Sequence, residues 1–139
     1  MPTLTGRLEK PGEIFSLELK DLLNELRRRH WTLIRWGPED EPCLMAAMFK
    51  WQACADVLIL RDEHQATGYR VPTMDDSGVF NPARVSYQYH ASPLWTLRAI
   101  LGLPEPGQPG SPMALETPAS ACFVSEDLPK PVLVRPLGG

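Results

Sequence analysis

The sequence has few cysteines, and their number and spacing argue against a disulfide-built scaffold. There are three, and Cys43, Cys54 and Cys122 stand far apart in the chain. This pattern is typical of reduced, mostly buried thiols. The sequence also lacks an apolar run of the roughly 20 residues that span a bilayer, and its first residues lack the pattern of a signal peptide. We therefore expect a cytoplasmic protein with no membrane partner.

Charge of one sign is also scarce. The net charge is −3 over 139 residues, so the chain as a whole is not built to neutralise a polyphosphate. The basic run Arg27-Arg28-Arg29 shares its predicted helix with Asp21 and Glu25. Basic residues in the last turn of a helix are explained by the helix dipole. Nucleic acid is therefore not an expected partner.

The sequence lacks the motifs that hold metals and phosphates or frame an activated serine. The three histidines are far apart, and neither Cys-x-x-Cys nor His-Glu-x-x-His occurs. There is no Walker motif, no Gly-x-Gly-x-x-Gly and no glycine-framed serine. Cys54 beside Asp56, with His90 on a neighbouring strand, is the nearest approach to a nucleophilic site, but a free cysteine is usually a small buried hydrophobe. We therefore predict no catalytic residue, no metal and no cofactor.

The clearest signal in the sequence is a strand followed directly by a helix over residues 85–103. Apolar or aromatic residues alternate with polar ones from Val85 to His90, which is the period of a half-buried strand. Ser92 and Pro93 are typical of a helix start. An apolar stripe at helical spacing follows and ends at a glycine, with Leu94, Leu97, Leu101 and Gly102. His90 is therefore expected at the joint between strand and helix.

Hydrophobic spacing predicts further elements upstream. Leucines at helical spacing predict a helix over 16–30 with Ser16 as its N-cap, and β-branched and aromatic residues predict a strand over 31–36. Residues 55–61 and 65–71 predict a hairpin joined by a polar turn. The Met- and Ala-rich run 43–51 predicts a helix, with a short buried strand as the alternative.

These elements predict an α+β fold: a small, mainly antiparallel sheet of about four strands with helices packed on one face. The expected division is an extended lead over 1–15, an α+β domain over 16–103 and a Pro/Gly-rich tail over 104–139. The tail carries two short apolar patches, 119–124 and 131–134. We expect these patches either to add an edge strand to this domain or to dock on another chain, and we favour a tail that ties subunits together.

Candidate ligand-binding residues cluster in two places. His90 at the joint is accompanied by Tyr89, Gln88 and Ser92, and the helix start there is a possible anion site. The second place is the polar turn Asp62-Glu63-His64, the densest ligand-like cluster in the chain. For the turn a solvated hairpin is the simpler interpretation, and for Ser92 a helix cap is.

Two functions follow from these patterns. The first is a non-enzymatic cytoplasmic binding or assembly protein that acts through protein–protein contacts and self-associates as a homo-oligomer. The alternative is a small enzyme or small-molecule-binding protein with its site around His90. An enzyme requires His90 in a concave pocket within hydrogen-bond reach of a second titratable group. Arginine outnumbers lysine, and alanine, proline and leucine are plentiful, which indicates a GC-rich bacterial coding sequence.

Overall fold

The computed structural model describes residues 17–73 and 79–134, and within them two helices and six strands. The helices are α1 (Leu17–Arg28) and α2 (Pro93–Leu101), and a single 3-10 turn covers Ser120–Cys122. The strands are β1 (Thr32–Trp36), β2 (Leu44–Lys50), β3 (Cys54–Leu60), β4 (Ala66–Pro72), β5 (Tyr87–Ala91) and β6 (Pro131–Val134). No helix of these described residues is long and apolar enough to cross a membrane.

All six strands form one antiparallel sheet in the order β5-β4-β3-β2-β1-β6. The first five follow one another as a meander, so each pairs with its neighbour in sequence. The sixth strand comes from the end of the chain and pairs with the outer side of β1, where Leu33 lies opposite Val134 and Trp36 opposite Pro131. The tail therefore docks on the sheet of its own chain.

The expected α+β fold, with a small sheet of about four strands and helices packed on it, is wrong, because the structure is mostly sheet. The sheet has six strands, because residues 43–51 contribute β2 rather than a helix and the tail contributes β6. Residues 43–51 were predicted as a helix because they show no alternation. Ala46 and Ala47 lie on opposite faces of β2, and both are buried. A strand covered on both faces reads as a continuous apolar run and has no visible alternation.

The two faces of the sheet are covered by different kinds of structure. The helices pack on one face, where the buried apolar residues include Leu26, Trp31, Leu33, Ala47, Leu58, Leu60, Leu97 and Ile100. The other face is covered by irregular segments and the 3-10 turn. Its buried residues include Ile34, Trp36, Val57, Ile59, Tyr69, Val85, Cys122 and Val124. The described helices therefore cover only one of the two faces of the sheet.

The helix predicted over 16–30 is confirmed as α1, although its expected cap, Ser16, lies outside the described residues. The helix ends in a Schellman motif, in which Trp31 N–H donates to Leu26 O at 3.0 Å and His30 N–H donates to Arg27 O at 3.0 Å. His30 takes the left-handed conformation that this motif requires, with φ of 66°. The motif turns the chain directly into β1 and fixes where Arg29 and Trp31 lie.

Candidate functional site

Gln88 and His90 lie on one face of β5, and Tyr89 lies on the other. Thr67 pairs with His90 and with Ile59, so His90 faces the side of the sheet that the C-terminal segments cover. Tyr89 faces the helices. Tyr89 therefore does not converge on one site with Gln88 and His90.

Both ring nitrogens of His90 are engaged in hydrogen bonds. Nε2 lies 3.0 Å from Gln88 Oε1, and Nδ1 lies 3.0 Å from Thr67 Oγ1. Because the Gln88 carbonyl oxygen only accepts, Nε2 carries the proton and Nδ1 accepts from the Thr67 hydroxyl. Burial lowers the pKa of His90, and the nearby Arg61 guanidinium lowers it further. His90 therefore serves as a neutral structural link within the strand pair.

Gln88 joins β5 to the C-terminal segment. Its Nε2 donates to Glu116 Oε1 at 2.8 Å and to Thr117 O at 3.0 Å, and its Oε1 accepts from Ala119 N–H at 2.9 Å. The chain's own tail thus covers this face at Gln88, whereas His90, two residues further along β5, is exposed. The hydrogen bonds of Gln88 therefore attach this segment to the sheet.

Arg61 makes a second attachment of the same segment. Its Nη2 donates to Ala121 O at 2.6 Å and to Phe123 O at 2.8 Å, on either side of Cys122. Cys122 is fully buried, and burial raises the pKa of its thiol to about 11. Burial also raises the pKa of Cys54. Both thiols are therefore protonated at neutral pH and poor nucleophiles.

The polar turn Asp62-Glu63-His64 closes the hairpin between β3 and β4. Asp62 Oδ1 accepts from the backbone N–H groups of His64 at 2.7 Å and of Gln65 at 2.9 Å, which is an Asx turn. No group of three or more His, Cys, Asp or Glu side chains in the described ranges is arranged to hold a metal ion. The hydrogen bonds of the turn account for its polar residues without a ligand.

Ser92 lies at the N-cap position of α2 in an extended conformation, and its side chain makes no capping hydrogen bond. The backbone carbonyl of Ser92 accepts from Thr96 N–H at 2.9 Å. Pro93 at the first position fixes the helix start without needing a donor.

Sequence reasoning missed a buried ion pair between Asp56 and Arg70, which are both 2% exposed. Arg70 Nε donates to Asp56 Oδ1 at 2.6 Å, and Nη2 donates to Oδ2 at 2.9 Å, so the pair is bidentate. Trp51 Nε1 also donates to Oδ2 at 2.9 Å. The signal was present in the hairpin itself, because closing it at residues 62–64 places positions 56 and 70 opposite each other.

The same guanidinium reaches the proline-rich segment. Arg70 Nη1 donates to Pro104 O at 2.8 Å and to Ser111 Oγ at 3.2 Å. Each nitrogen of Arg70 therefore has a partner, as the burial of a charge requires. The ion pair fixes the start of the tail to the centre of the sheet.

Two well-formed clefts lie on the described surface, and His90 is not in the lining of either. One, of about 40 Å³, lies between the start of β2 and the end of β3 and is lined by Pro42, Cys43, Leu44, Met45, Leu60, Arg61 and Asp62. The other, of about 240 Å³, lies on the helical side and is lined by Trp31, Phe49 and Trp51 with Asp56 at its base. Neither of these two clefts supplies the concave pocket that an enzyme site at His90 requires.

Exposed apolar side chains gather at the two edges of the sheet. Tyr89 on β5 is 37% exposed, and Trp95 on the neighbouring helix is 57% exposed. Glu116 bridges to Val85, two residues before β5, and Met113 and Leu115, just before Glu116 in the chain, are exposed. We call Tyr89, Trp95, Met113 and Leu115, with the outer edge of β5, the β5 edge surface. On the opposite edge, Val132 and Leu133 of β6 are exposed.

Comparison of the chain with protein-family models, with curated proteins and with solved structures finds no match.

The pKa of His90 leads to a prediction about pH. We expect the free energy of unfolding to fall as the pH drops below 6.5, and His90→Gln to reduce this fall. Because the folded-state pKa of His90 lies below its ordinary value of 6.5, the unfolded chain takes up a proton that the folded chain does not. Stability present above pH 6.5 is therefore lost as the pH falls toward the folded-state pKa. Urea unfolding at about pH 7 and about pH 5.5 measures the difference.

His64→Gln is the matched control for this experiment, because the His64 side chain is 81% exposed in the hairpin turn. We expect its pH dependence to follow that of the unsubstituted chain. Identical slopes for the unsubstituted chain and for His90→Gln would contradict the assignment of a neutral His90 in the folded state.

Proposed function

We propose that this chain is a non-enzymatic binding protein that acts through protein–protein contacts and pairs with a second copy of itself through the β5 edge surface. The observation that carries the proposal is that β5 is an outer strand of the sheet with exposed apolar residues around it. Among the described residues, no chain segment pairs with the outer edge of Tyr87–Ala91. Such an edge is a template for pairing with another strand.

A second copy, related by a two-fold axis perpendicular to the sheet, supplies the pairing partner. It places β5 of one copy antiparallel to β5 of the other, so that each outer N–H and C=O finds a partner. A stable interface buries about 800 Å² on each partner, which is more than five strand residues provide. Trp95, Met113 and Leu115 lie where they extend the contact beyond the strand, and aromatic residues and methionine are enriched in interfaces.

The other edge of the sheet is less suited to pairing. Strand β6 has four residues, begins with Pro131 and follows Lys130 and Pro129. Proline removes a backbone donor, and proline and lysine are residues that protect edge strands from pairing. Strand β5 has five residues and no proline or lysine. These differences favour β5 as the pairing edge.

We also propose that the protein acts in the cytoplasm. All three cysteines are free thiols, and Cys43 is exposed. Exposed free thiols persist in reducing compartments, which supports this location.

Sedimentation velocity of the full chain tests the proposed pairing. We expect the unsubstituted chain to sediment as a dimer and Tyr89→Lys to sediment as a monomer. In the dimer the introduced lysines of the two copies lie near each other across the two-fold axis, and their like charges repel. Leu133→Lys is the matched control, since it introduces the same charge at an exposed apolar position on the β6 edge, and it should remain a dimer.

Circular dichroism of each variant at the same concentration separates loss of pairing from loss of folding. A monomeric unsubstituted chain at all concentrations would contradict the proposal. So would a Tyr89→Lys variant that is folded and still dimeric.

A further inference from the structure

The larger cleft is built from two unlike walls on the helical side of the sheet. One wall is aromatic: the Trp31 and Phe49 ring centroids are 6.0 Å apart, and those of Phe49 and Trp51 are 4.8 Å apart. The other wall is aliphatic and consists of Ile100, Leu101 and Leu103, at the end of α2 and just after it. Its volume of about 240 Å³ lies just below the range of about 300–1,000 Å³ typical of sites for drug-sized ligands. It therefore suits a single flat ring.

The base of this cleft is polar but carries no net charge. Asp56 lies there, and its carboxylate is held by Arg70 and by the indole N–H of Trp51. A buried charge with these partners is already neutralised and needs no counter-ion from a ligand. A charged ligand group placed against it would lose its hydration without gaining an ion pair. The interior therefore fits the uncharged part of a ligand.

The mouth of the cleft carries opposite charges. Arg29 and Glu105 both line it. Arg29 is held in place by the Schellman motif and by Glu25 Oε2, which accepts from its Nε at 2.9 Å. This bond uses only Nε, and the Nη1 and Nη2 groups of the guanidinium are further donors for a carboxylate. Glu105 is exposed and can accept hydrogen bonds from an ammonium group.

We propose that this cleft binds a free aromatic amino acid. The ring lies between the aromatic and aliphatic walls, the carboxylate bonds Arg29 and the ammonium group bonds Glu105. This arrangement favours a zwitterion over a compound with one charge, because Arg29 and Glu105 then each meet a group of opposite charge. This site is on the helical face and is independent of the proposed pairing through β5.

Nuclear magnetic resonance of the indole N–H groups gives a direct test with internal controls. Trp31 and Trp51 line the cleft, whereas Trp36 packs on the other face and Trp95 is exposed on α2. We expect L-phenylalanine at about 10 mM, ten times a weak Kd of about 1 mM, to shift the resonances of Trp31 and Trp51 and to leave the other two unchanged. No shift at this concentration, or equal shifts of all four, would overturn the proposal.

Three comparisons test the chemical class. Phenylacetate and phenethylamine each keep one of the two charges, and we expect both to bind at least about fivefold more weakly than L-phenylalanine, as loss of an exposed ion pair implies. Arg29→Gln should weaken L-phenylalanine about fivefold and bring its Kd close to that of phenethylamine. Arg28→Gln is the matched control, because Arg28 bonds the same Glu25 but does not line the cleft.

The results separate a zwitterion site from other uses of the cleft. Equal affinity for the three compounds would overturn the amino acid assignment, and so would an unchanged Kd in Arg29→Gln. A folded Arg28→Gln variant with an equally weakened Kd would also overturn it, because general damage to the helix end would then explain the loss. Loss of dimerisation in Tyr89→Lys has no bearing on these outcomes.

Discussion

A chain that ends at Leu103 is expected to lose its cooperative thermal unfolding transition. The missing segment supplies β6 and the covering of one sheet face, including Cys122 and Val124. Full burial of an apolar side chain contributes about 1.5–3 kcal/mol, and the truncation uncovers Trp36 and Tyr69 among several others. The summed loss is comparable to a total stability of about 5–15 kcal/mol. Calorimetry of the truncated and full chains measures the loss.

A chain that ends at Val134 is the control for this truncation, because it keeps every contact described for the tail. It should unfold at nearly the temperature of the full chain. A cooperative transition at an unchanged temperature in the chain ending at Leu103 would show that the C-terminal segment is not part of the folded core.

The second large effect is expected at the buried ion pair. Arg70→Met should lower the free energy of unfolding by about 3–5 kcal/mol, because it leaves the Asp56 carboxylate buried without its counter-charge. It also removes the donors to Pro104 O and Ser111 Oγ. Urea unfolding at neutral pH measures the change, with Arg98→Met as the control, since Arg98 is exposed on α2 and surface substitutions usually change stability by less than about 0.5 kcal/mol.

Removing both charges gives a sharper comparison. The double variant Asp56→Leu with Arg70→Met should be more stable than Arg70→Met alone, because no uncompensated charge then remains. A double variant as unstable as the sum of two single variants would indicate that the cost comes from lost packing and lost contacts with the tail. An Arg70→Met variant with unchanged stability would contradict the burial of the pair.

The elements with clear local signals were predicted from the sequence. The helix of α2, the strand β1 and the hairpin of β3 and β4 follow from leucine spacing, β-branched residues and a polar turn. Each depends on the chain near it. The α1 prediction holds over its described residues for the same reason.

The elements whose structure depends on distant partners were not predicted. Residues 44–50 form a strand because β1 and β3 pair on either side of it, and tertiary pairing overrides the helix propensity of Met and Ala. The tail was expected to dock on its own sheet or on another chain, and a tail that ties subunits together was favoured. In the structure β6 pairs with β1 of its own chain. The pairing of β6 with β1 joins residues far apart in the chain, and no local pattern predicts it.

The candidate site was anticipated less well than the fold. Alternation along residues 85–90 correctly separated Tyr89 from Gln88 and His90, but the partners of Gln88 are residues about 30 positions later in the chain. The cleft joins Arg29, Phe49 and Leu103 from three parts of the chain. No local pattern in the sequence relates these positions.

Amide hydrogen exchange of the unsubstituted chain at low and high protein concentration tests the proposed pairing of β5 most directly. If two copies pair through this edge, the outward-facing amides of Tyr87–Ala91 become hydrogen-bonded in the dimer and exchange more slowly as the concentration rises. The amides of Val132–Val134 on the opposite edge should exchange at the same rate at both concentrations. Exchange in β5 that does not depend on concentration, or protection that appears in β6 instead, would contradict the account.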